Sequence, residues 1–324
     1  MPDAPDPRRS NGRSPLVVIG ECMVEVSPAG GGLHRLGYAG DTFNAAWASR
    51  LLLPPERAVR YVTTLGTDWV SDGMLAFMRG AGLDLSAVRR DPLRPAGLYA
   101  VRLVDGERSF AYWRSGSAAT TLADDPDHLA AALSGAAMVL FSGITLAILP
   151  PSGRAALFDA VAAARGRGTR IAFDPNHRPR LWRDDDEARE VLTRFSRLVD
   201  CALPSFSDEA ALFGDASPTA CAARFAALGV EEVVVKDGPG PALVAAPGVT
   251  EWTEPSPVAR PLDTTGAGDA FNGAYLAGRL QGLAPARAAG LAHRVAAVAI
   301  RTRGALVPRD MDISLDATGS DPEP

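Results

Sequence analysis

A carboxylate placed directly after a glycine turn, Gly266-Ala267-Gly268-Asp269, is the stretch of this chain with the most obvious capacity for chemistry. Gly266 and Gly268 carry no Cβ, so the backbone can turn tightly and bring its N–H groups close to a ligand. An apolar helical pattern from Ala274 to Leu280 follows. The unpaired N–H groups of a first helical turn, with the positive end of the dipole behind them, therefore face one point. Such a cradle receives negative charge developing on a phosphoryl group, and Asp269 stands where it could take a proton from a hydroxyl aimed there. Taken alone, the same four residues also describe an ordinary helix start with a first-turn acid. The loop is neither a Walker loop, since no Gly-Lys-Ser/Thr follows, nor a dinucleotide fingerprint.

Further polar clusters sit where strands are predicted to end. They are Ser142-Gly143-Ile144-Thr145, Asp174-Pro175-Asn176-His177-Arg178, Pro204-Ser205-Phe206-Ser207-Asp208 and Lys236-Asp237-Gly238-Pro239-Gly240. Each alone reads as a loop or cap: Asp208 as a first-turn cap residue, the Gly238–Gly240 loop as a hairpin turn, His177 as a surface histidine. Together they outline a ligand crevice beyond the carboxyl ends of parallel strands. Earlier, Gly37-Tyr38-Ala39-Gly40-Asp41-Thr42-Phe43-Asn44 offers a glycine turn with polar side chains ahead of a helix, suited to a polyhydroxy ligand or to capping by Asp41 or Thr42. Tyr99, Tyr112 and Arg114 fall in a predicted hairpin. They make either an aromatic cross-strand pair or a wall whose guanidinium clamps a carboxylate.

The elements that must hold these groups follow from hydrophobic periodicity. Strands are predicted at Leu16–Gly20, Glu21–Val26, Tyr61–Gly66, Met138–Ser142, Arg170–Asp174, Leu198–Leu203 and Glu232–Lys236. Hairpins are predicted at Leu98–Leu103 with Ser109–Arg114 around Asp105-Gly106, and at Ala242–Ala246 with Val249–Thr253. Helices are predicted at Phe43–Leu53, Trp69–Ala81, Ser152–Arg165, Asp185–Arg194, Ser207–Leu228 broken near Pro218, Ala267–Gln281 and Pro285–Thr302. Strand–helix alternation of this kind specifies a mostly parallel sheet with helices on both faces. The reading is one α/β domain over residues 15–310, with a small β-sheet lid from about 21–37 and 97–115, and loose tails at 1–14 and 311–324.

Composition narrows the function classes. The chain has 324 residues, 47% hydrophobic and 22% charged, as in an ordinary globular protein. A net charge of −5 argues against nucleic-acid binding, and no apolar run of about 18 residues predicts a membrane span. Met1–Ser14 lacks the apolar core of a secretory signal. Cys22, Cys201 and Cys221 are scattered and read as thiols in a reducing cytoplasm. His34, His128 and His293 form no zinc pattern. Lys236 is the single lysine among 33 basic residues, and it closes a buried strand.

The segment Asp263-Thr264-Thr265-Gly266-Ala267-Gly268-Asp269-Ala270-Phe271 resembles the C-terminal signature of the ribokinase-like (PfkB) carbohydrate kinases, Asp-Thr-x-Gly-Ala-Gly-Asp-x-Phe. The likeness runs from about Leu16 to Pro308. It is closest to the branch acting on 2-dehydro-3-deoxygluconate, through Gly40-Asp41-Thr42-Phe43-Asn44, Tyr112-Trp113-Arg114 and Asn176-His177-Arg178-Pro179-Arg180-Leu181-Trp182. It implies a ribokinase-like three-layer α/β/α fold and ATP-dependent phosphorylation of a sugar acid. It makes Gly266, Ala267 and Gly268 the anion hole and Asp269 the catalytic base. Gly40, Asp41, Asn44, Tyr99, Tyr112, Arg114, Ile144 and Arg178 would face the sugar acid. Asn176, Arg178, Ser205, Lys236, Gly238, Gly240, Ala242, Gly266 and Gly268 would line ATP, with Asp208 holding Mg²⁺ through water. Apart from the resemblance, an apolar outer face on the lid hairpin would favour a homo-oligomer formed through the lid. The sequence departs from the family pattern at Ala39 and at Pro175-Asn176-His177, which touches one hydroxyl contact. A 2-keto acid needs a cation in its pocket, because an unpaired buried carboxylate costs several kcal/mol; Arg114 and Arg178 could supply it. Other sugars or sugar acids (2-dehydro-3-deoxygalactonate, fructose, a deoxy-inositol acid) and a non-catalytic sugar-acid sensor are the competing readings.

Overall fold

The computed structural model describes residues 13–104 and 107–313. The predicted Asp105-Gly106 turn, most of the N-terminal tail and residues 314–324 lie outside them. In chain order the elements begin with β1 (Leu16–Ile19), β2 (Met23–Gly30), β3 (Leu33–Ala39), α1 (Asp41–Leu52), β4 (Val59–Gly66), α2 (Trp69–Gly80) and β5 (Val88–Asp91). Next come β6 (Leu98–Val104), β7 (Glu107–Trp113), α3 (Pro126–Ala132), β8 (Met138–Ser142), α4 (Gly143–Ile148), α5 (Pro151–Gly166) and β9 (Arg170–Asp174). The chain continues with α6 (Asp185–Ser196), β10 (Cys201–Ala202), α7 (Phe206–Phe213), α8 (Pro218–Ala227) and β11 (Glu232–Val235). It ends with β12 (Ala242–Ala246), β13 (Val249–Thr253), α9 (Ala267–Leu280) and α10 (Pro285–Ala299).

Nine strands form the main sheet in the order β13-β12-β11-β10-β9-β8-β1-β4-β5. Pairings are parallel except for the β11–β12–β13 edge. Alternation along the strands sorts the core to two faces. Leu16 and Val18 of β1 join one cluster with Phe43, Leu276 and Leu291, beneath α1, α9 and α10. Val17 and Ile19 join the other with Leu157, Leu192 and Phe225, beneath α5, α6 and α8. Helix, sheet and helix are thus three layers, as expected from the alternation. Among the described residues no helix is long and apolar enough to cross a membrane.

A second sheet of four strands, β3-β2-β6-β7, stands apart. Its β2–β6 pair is parallel and its hairpins antiparallel.

Several predicted boundaries moved, each for a local reason. The strand predicted at Leu198–Leu203 pairs only at Cys201–Ala202, because Leu198 and Val199 close the end of α6 through hydrogen bonds to Phe195 and Ser196. The Glu21–Val26 strand starts at Met23, since Glu21 leaves β1 to point inward. The Ser207–Leu228 helix breaks at Gly214, a left-handed cap, before Ser217 and Pro218 restart it. The short elements β5, α3 and α4 were missed, being too brief to show a period.

One crossing matters most for the site. Helices α1 and α9 approach so closely that a Cβ on Gly273 would lie 2.3 Å from the Ala45 carbonyl. Ser49 Oγ seals the contact by donating to the Gly273 carbonyl at 2.9 Å. Any larger residue at 273 would push apart the helices that carry Asn44, next to Ala45, and Asp269, one turn before Gly273.

Candidate active site

The glycine turn is built as its residue types require. Gly266 is the N-cap of α9 in the left-handed region, φ 74°, and a Cβ there would meet the Ala305 carbonyl at 2.3 Å. No side chain caps this helix. Its first i→i−4 bond runs from Ala270 N–H to the Gly266 carbonyl at 2.8 Å, so the N–H groups of Gly268 and Asp269 lie ahead of the helical ladder.

Around this turn three carboxylates are each held by a carboxamide. Asn44 Nδ2 donates to Asp269 at 2.8 Å. Its own oxygen accepts from Gly40 N–H at 3.3 Å, which sets the orientation of the amide. Asn176 Nδ2 donates to Asp41 at 3.1 Å, and Asn272 Nδ2 donates to Asp174 at 2.6 Å. Asn176 is the one non-glycine residue of positive φ among the described residues, at 33°. The Asp174 side chain holds that backbone by accepting from Asn176 N–H at 3.1 Å. Asp41, Thr42, Ser142, Asp174, Asp269 and Asn272 line one small cavity beyond the strand ends. The predicted alternative of Asp41 or Thr42 capping α1 is not what forms: Gly40 is the N-cap and no side chain caps the helix.

Burial raises the proton affinity of two acids that line the cavity, Asp269 and Asp41. Asp269 is pushed up to about 7, first by burial and then by the charge of Asp41, against the hydrogen bond from Asn44. Asp41 is raised chiefly by burial, with Ser142 and Arg114 opposing. A carboxyl group poised near neutrality between two acids and an amide donor suits general-base work.

The other predicted residues divide. Lys236 turns its ammonium inward, donating to Asp174 and to the Asn272 oxygen, each at 3.0 Å. Ser205 pairs with Lys236 through a parallel bridge and stands at the N-cap position of α7 without a side-chain capping bond. Gly238 (φ 54°) and Gly240 turn the chain between β11 and β12, and Ala242 opens β12, buried. The loop is therefore also a hairpin connection, as its alternative reading had it. Ile144 is buried on α4. Asp208 lies in the first turn of α7 and accepts from Arg178 Nη1 at 3.2 Å, with Arg178 half exposed. Burial raises Asp208 above the usual carboxylate range, while Arg178 works against that. His177 is buried rather than on the surface, its Nε2 without a hydrogen-bond partner, and burial lowers its basicity.

On the small sheet Tyr99 and Tyr112 are register partners with rings 5.9 Å apart; Tyr99 is buried and Tyr112 exposed. Two acids that the sequence reading did not single out hold this side. Tyr99 Oη donates to Glu25. Arg114 forms an ion pair with fully buried Glu21, which also accepts from Ser117 Oγ at 2.5 Å. Arg114 Nε is buried and keeps no hydrogen-bond partner. The guanidinium charge acts on Asp41, whose charge acts on Asp269, so both ends of the crevice belong to one electrostatic unit. Glu21 and Asn272 were the overlooked members, and Asp174, named in a strand-end cluster, had been given no role of its own. Their signal was position: two acids at the carboxyl ends of β1 and β9, and an amide three residues beyond Asp269.

Residues 14–311 match the family model described as pfkB family carbohydrate kinase. The chain belongs to the PfkB family of carbohydrate kinases. Within the family it is similar to the 2-dehydro-3-deoxygluconokinase of Escherichia coli, 38% identical over 91% of this chain and 97% of the relative. The enzyme of the same name from Dickeya dadantii is 37% identical over 90% and 96%. Among solved PfkB-type structures, an Escherichia coli protein assigned as a ribokinase II and solved with ATP and Mg²⁺ superposes with a TM-score of 0.78, at 26% identity over 90% of this chain and 94% of that one. The Thermotoga maritima 2-dehydro-3-deoxygluconokinase shares the fold, with a TM-score of 0.81 at 21% identity over 91% and 96%.

Proposed function

We propose that this kinase transfers the γ-phosphoryl group of ATP to the terminal hydroxyl of 2-dehydro-3-deoxy-D-gluconate, giving the 6-phosphate. The carrying observation is Asp269, held by Asn44 at 2.8 Å at the mouth of the uncapped turn of α9. In this reading Asp269 accepts the hydroxyl proton, and the Gly266–Gly268 turn receives the charge on the transferring group through the N–H groups of Gly268 and Asp269 that lie ahead of the helical ladder. Mg²⁺, arriving with ATP, would neutralise phosphate charge. Asp208 is a fitting partner for it through water, being a partly buried acid tied only to a half-exposed arginine. Ser205 and the Lys236–Ala242 loop would border the nucleotide.

The keto acid is supported by the names of the similar enzymes and by the cations present. Arg114 offers its buried Nε–H, and Arg178 can swing from Asp208. Gly40, Asp41, Asn44, Tyr99, Tyr112 and Ile144 would shape the pocket, with Asn176 holding Asp41. The small sheet would act as a lid that excludes water from the phosphoryl group. Its exposed Leu33, Leu36, Tyr112 and Trp113 favour pairing with a second copy. Cys22, Cys201 and Cys221 are buried free thiols, which fits a reducing cytoplasm.

A coupled ADP-release assay over a panel of keto acids and ketohexoses tests the substrate. 2-Dehydro-3-deoxy-D-gluconate should give the highest kcat/KM. Fructose outperforming every keto acid would overturn the assignment.

A further inference from the structure

Behind the glycine turn lies a buried ion pair, Lys236 with Asp174, and the Asp174 side of it also lines the small cavity. Lys236 Nζ donates to Asp174 and Asn272, each at 3.0 Å, and Asn272 donates to the same Asp174 oxygen at 2.6 Å. All three side chains are buried. A Cβ on Gly268 would stand 3.7 Å from Nζ, so the ammonium sits immediately behind the turn with no side chain between. The chain uses arginine at every other basic position outside its histidines. A guanidinium is a broad planar fork, whereas an ammonium is compact, with three donors that can point separately. The space enclosed by Asp174, Asn272 and the turn calls for the second.

The groups that act on the charge of Asp269 come from three places in the fold. Asp41 from α1 and Asp174 from β9 make its ionisation harder, while Lys236, just past the end of β11, and the Asn44 amide of α1 make it easier. Asp208 and Glu209, on α7, also feel Asp174, and are compensated by Arg178 and Arg224. Remove Lys236 and Asp174 becomes an uncompensated anion behind a turn that must receive phosphate.

We propose that Lys236 is a positioning residue for phosphoryl transfer, a buried countercharge that cancels Asp174 so that Asp269 can ionise and the turn can accept an anion. Its ammonium acts through Asp174 and the turn. This rests on Asp269 being the base, and the test separates the two ideas.

The pH dependence of kcat/KM is to be measured for K236M, D174N and the double variant, beside D269N. Losing the cation should move the acid limb of K236M to higher pH by about one unit. Losing the anion should move that of D174N to lower pH. The double variant, with both charges removed, should return close to the parent. A fold defect alone lowers the rate without opposite shifts. Limbs that stay in place, or move the same way in both single variants, overturn the proposal while leaving Asp269 as base. An acid limb and rate retained in D269N would instead remove the base assignment, and the proposal with it. Should K236M prove insoluble, the downward shift of D174N and its reversal in the double variant decide.

Discussion

The two sides of the crevice hold their acids by opposite means. At the α9 corner the charge of Asp174 is matched by Lys236 behind the turn, while Asp269 and Asp41 are held by the neutral amides of Asn44 and Asn176. An amide orients a carboxylate without cancelling it, so the charge remains available to a proton or a ligand. On the small-sheet side Glu21 is bound by the cation of Arg114 and by Ser117, and Glu25 by Tyr99. There the charge of the wall is largely spent inside the protein. What remains to offer is shape, aromatic surface and single donors such as Arg114 Nε. The contrast teaches that reactivity and recognition are separated: proton affinity is tuned at one end, and stiffness is built at the other.

Asp269→Asn breaks the comparison at its reactive end and carries the largest expected effect. If Asp269 is the general base, kcat should fall at least about 10²-fold, with substrate binding largely kept. The same variant has a stability signature. The folded chain keeps the Asp269 proton up to about pH 7, while an unfolded chain releases it near the ordinary 3.8. Folding is therefore progressively penalised as pH rises through that window. D269N should melt above the parent at pH 8, with the gap closing toward pH 4. Equal melting temperatures at both pH values would contradict the raised proton affinity.

Glu21→Ala breaks the wall. A buried Arg114 left without its acid should lower stability by about 3–5 kcal/mol, read as a shift in denaturant midpoint. KM for the keto acid should rise while KM for ATP stays nearly constant. A variant as stable as the parent would mean that the Glu21–Arg114 pair does not organise this side.

Arg178→Ala sharpens the comparison at the rim and should have the smallest effect on stability, under about 1 kcal/mol, because its pair with Asp208 is half exposed. Its consequence belongs to recognition. KM for a keto acid should rise several-fold, and that for a neutral ketohexose should not. Equal changes for both would take Arg178 out of carboxylate binding.

Much of this was legible in the residues. The strands at Met138–Ser142 and Arg170–Asp174 were bounded correctly because their apolar runs end in polar residues. The turn at Gly266–Gly268 was readable because only glycine tolerates the left-handed start of α9 against Ala305. The counter-ions were not legible. Arg114 looked like a free clamp because Glu21 lies 93 positions earlier, off the end of another strand. That Lys236 also pairs with Asp174 and Asn272 could not be read from its own loop, because those partners come from β9 and α9.

By itself the sequence determined what depends on neighbours along the chain: the alternation that makes a parallel sheet, the glycine turn, the acid placed after it, and the family signature they form. Only the tertiary structure decided which charge meets which. Pairing of buried ions depends on distances of about 3 Å between side chains far apart in the chain, set by crossings such as that of Gly273 on Ala45. Residue type alone does not say whether a buried arginine already has its anion, and that is why the wall and the corner could be told apart only once both were folded.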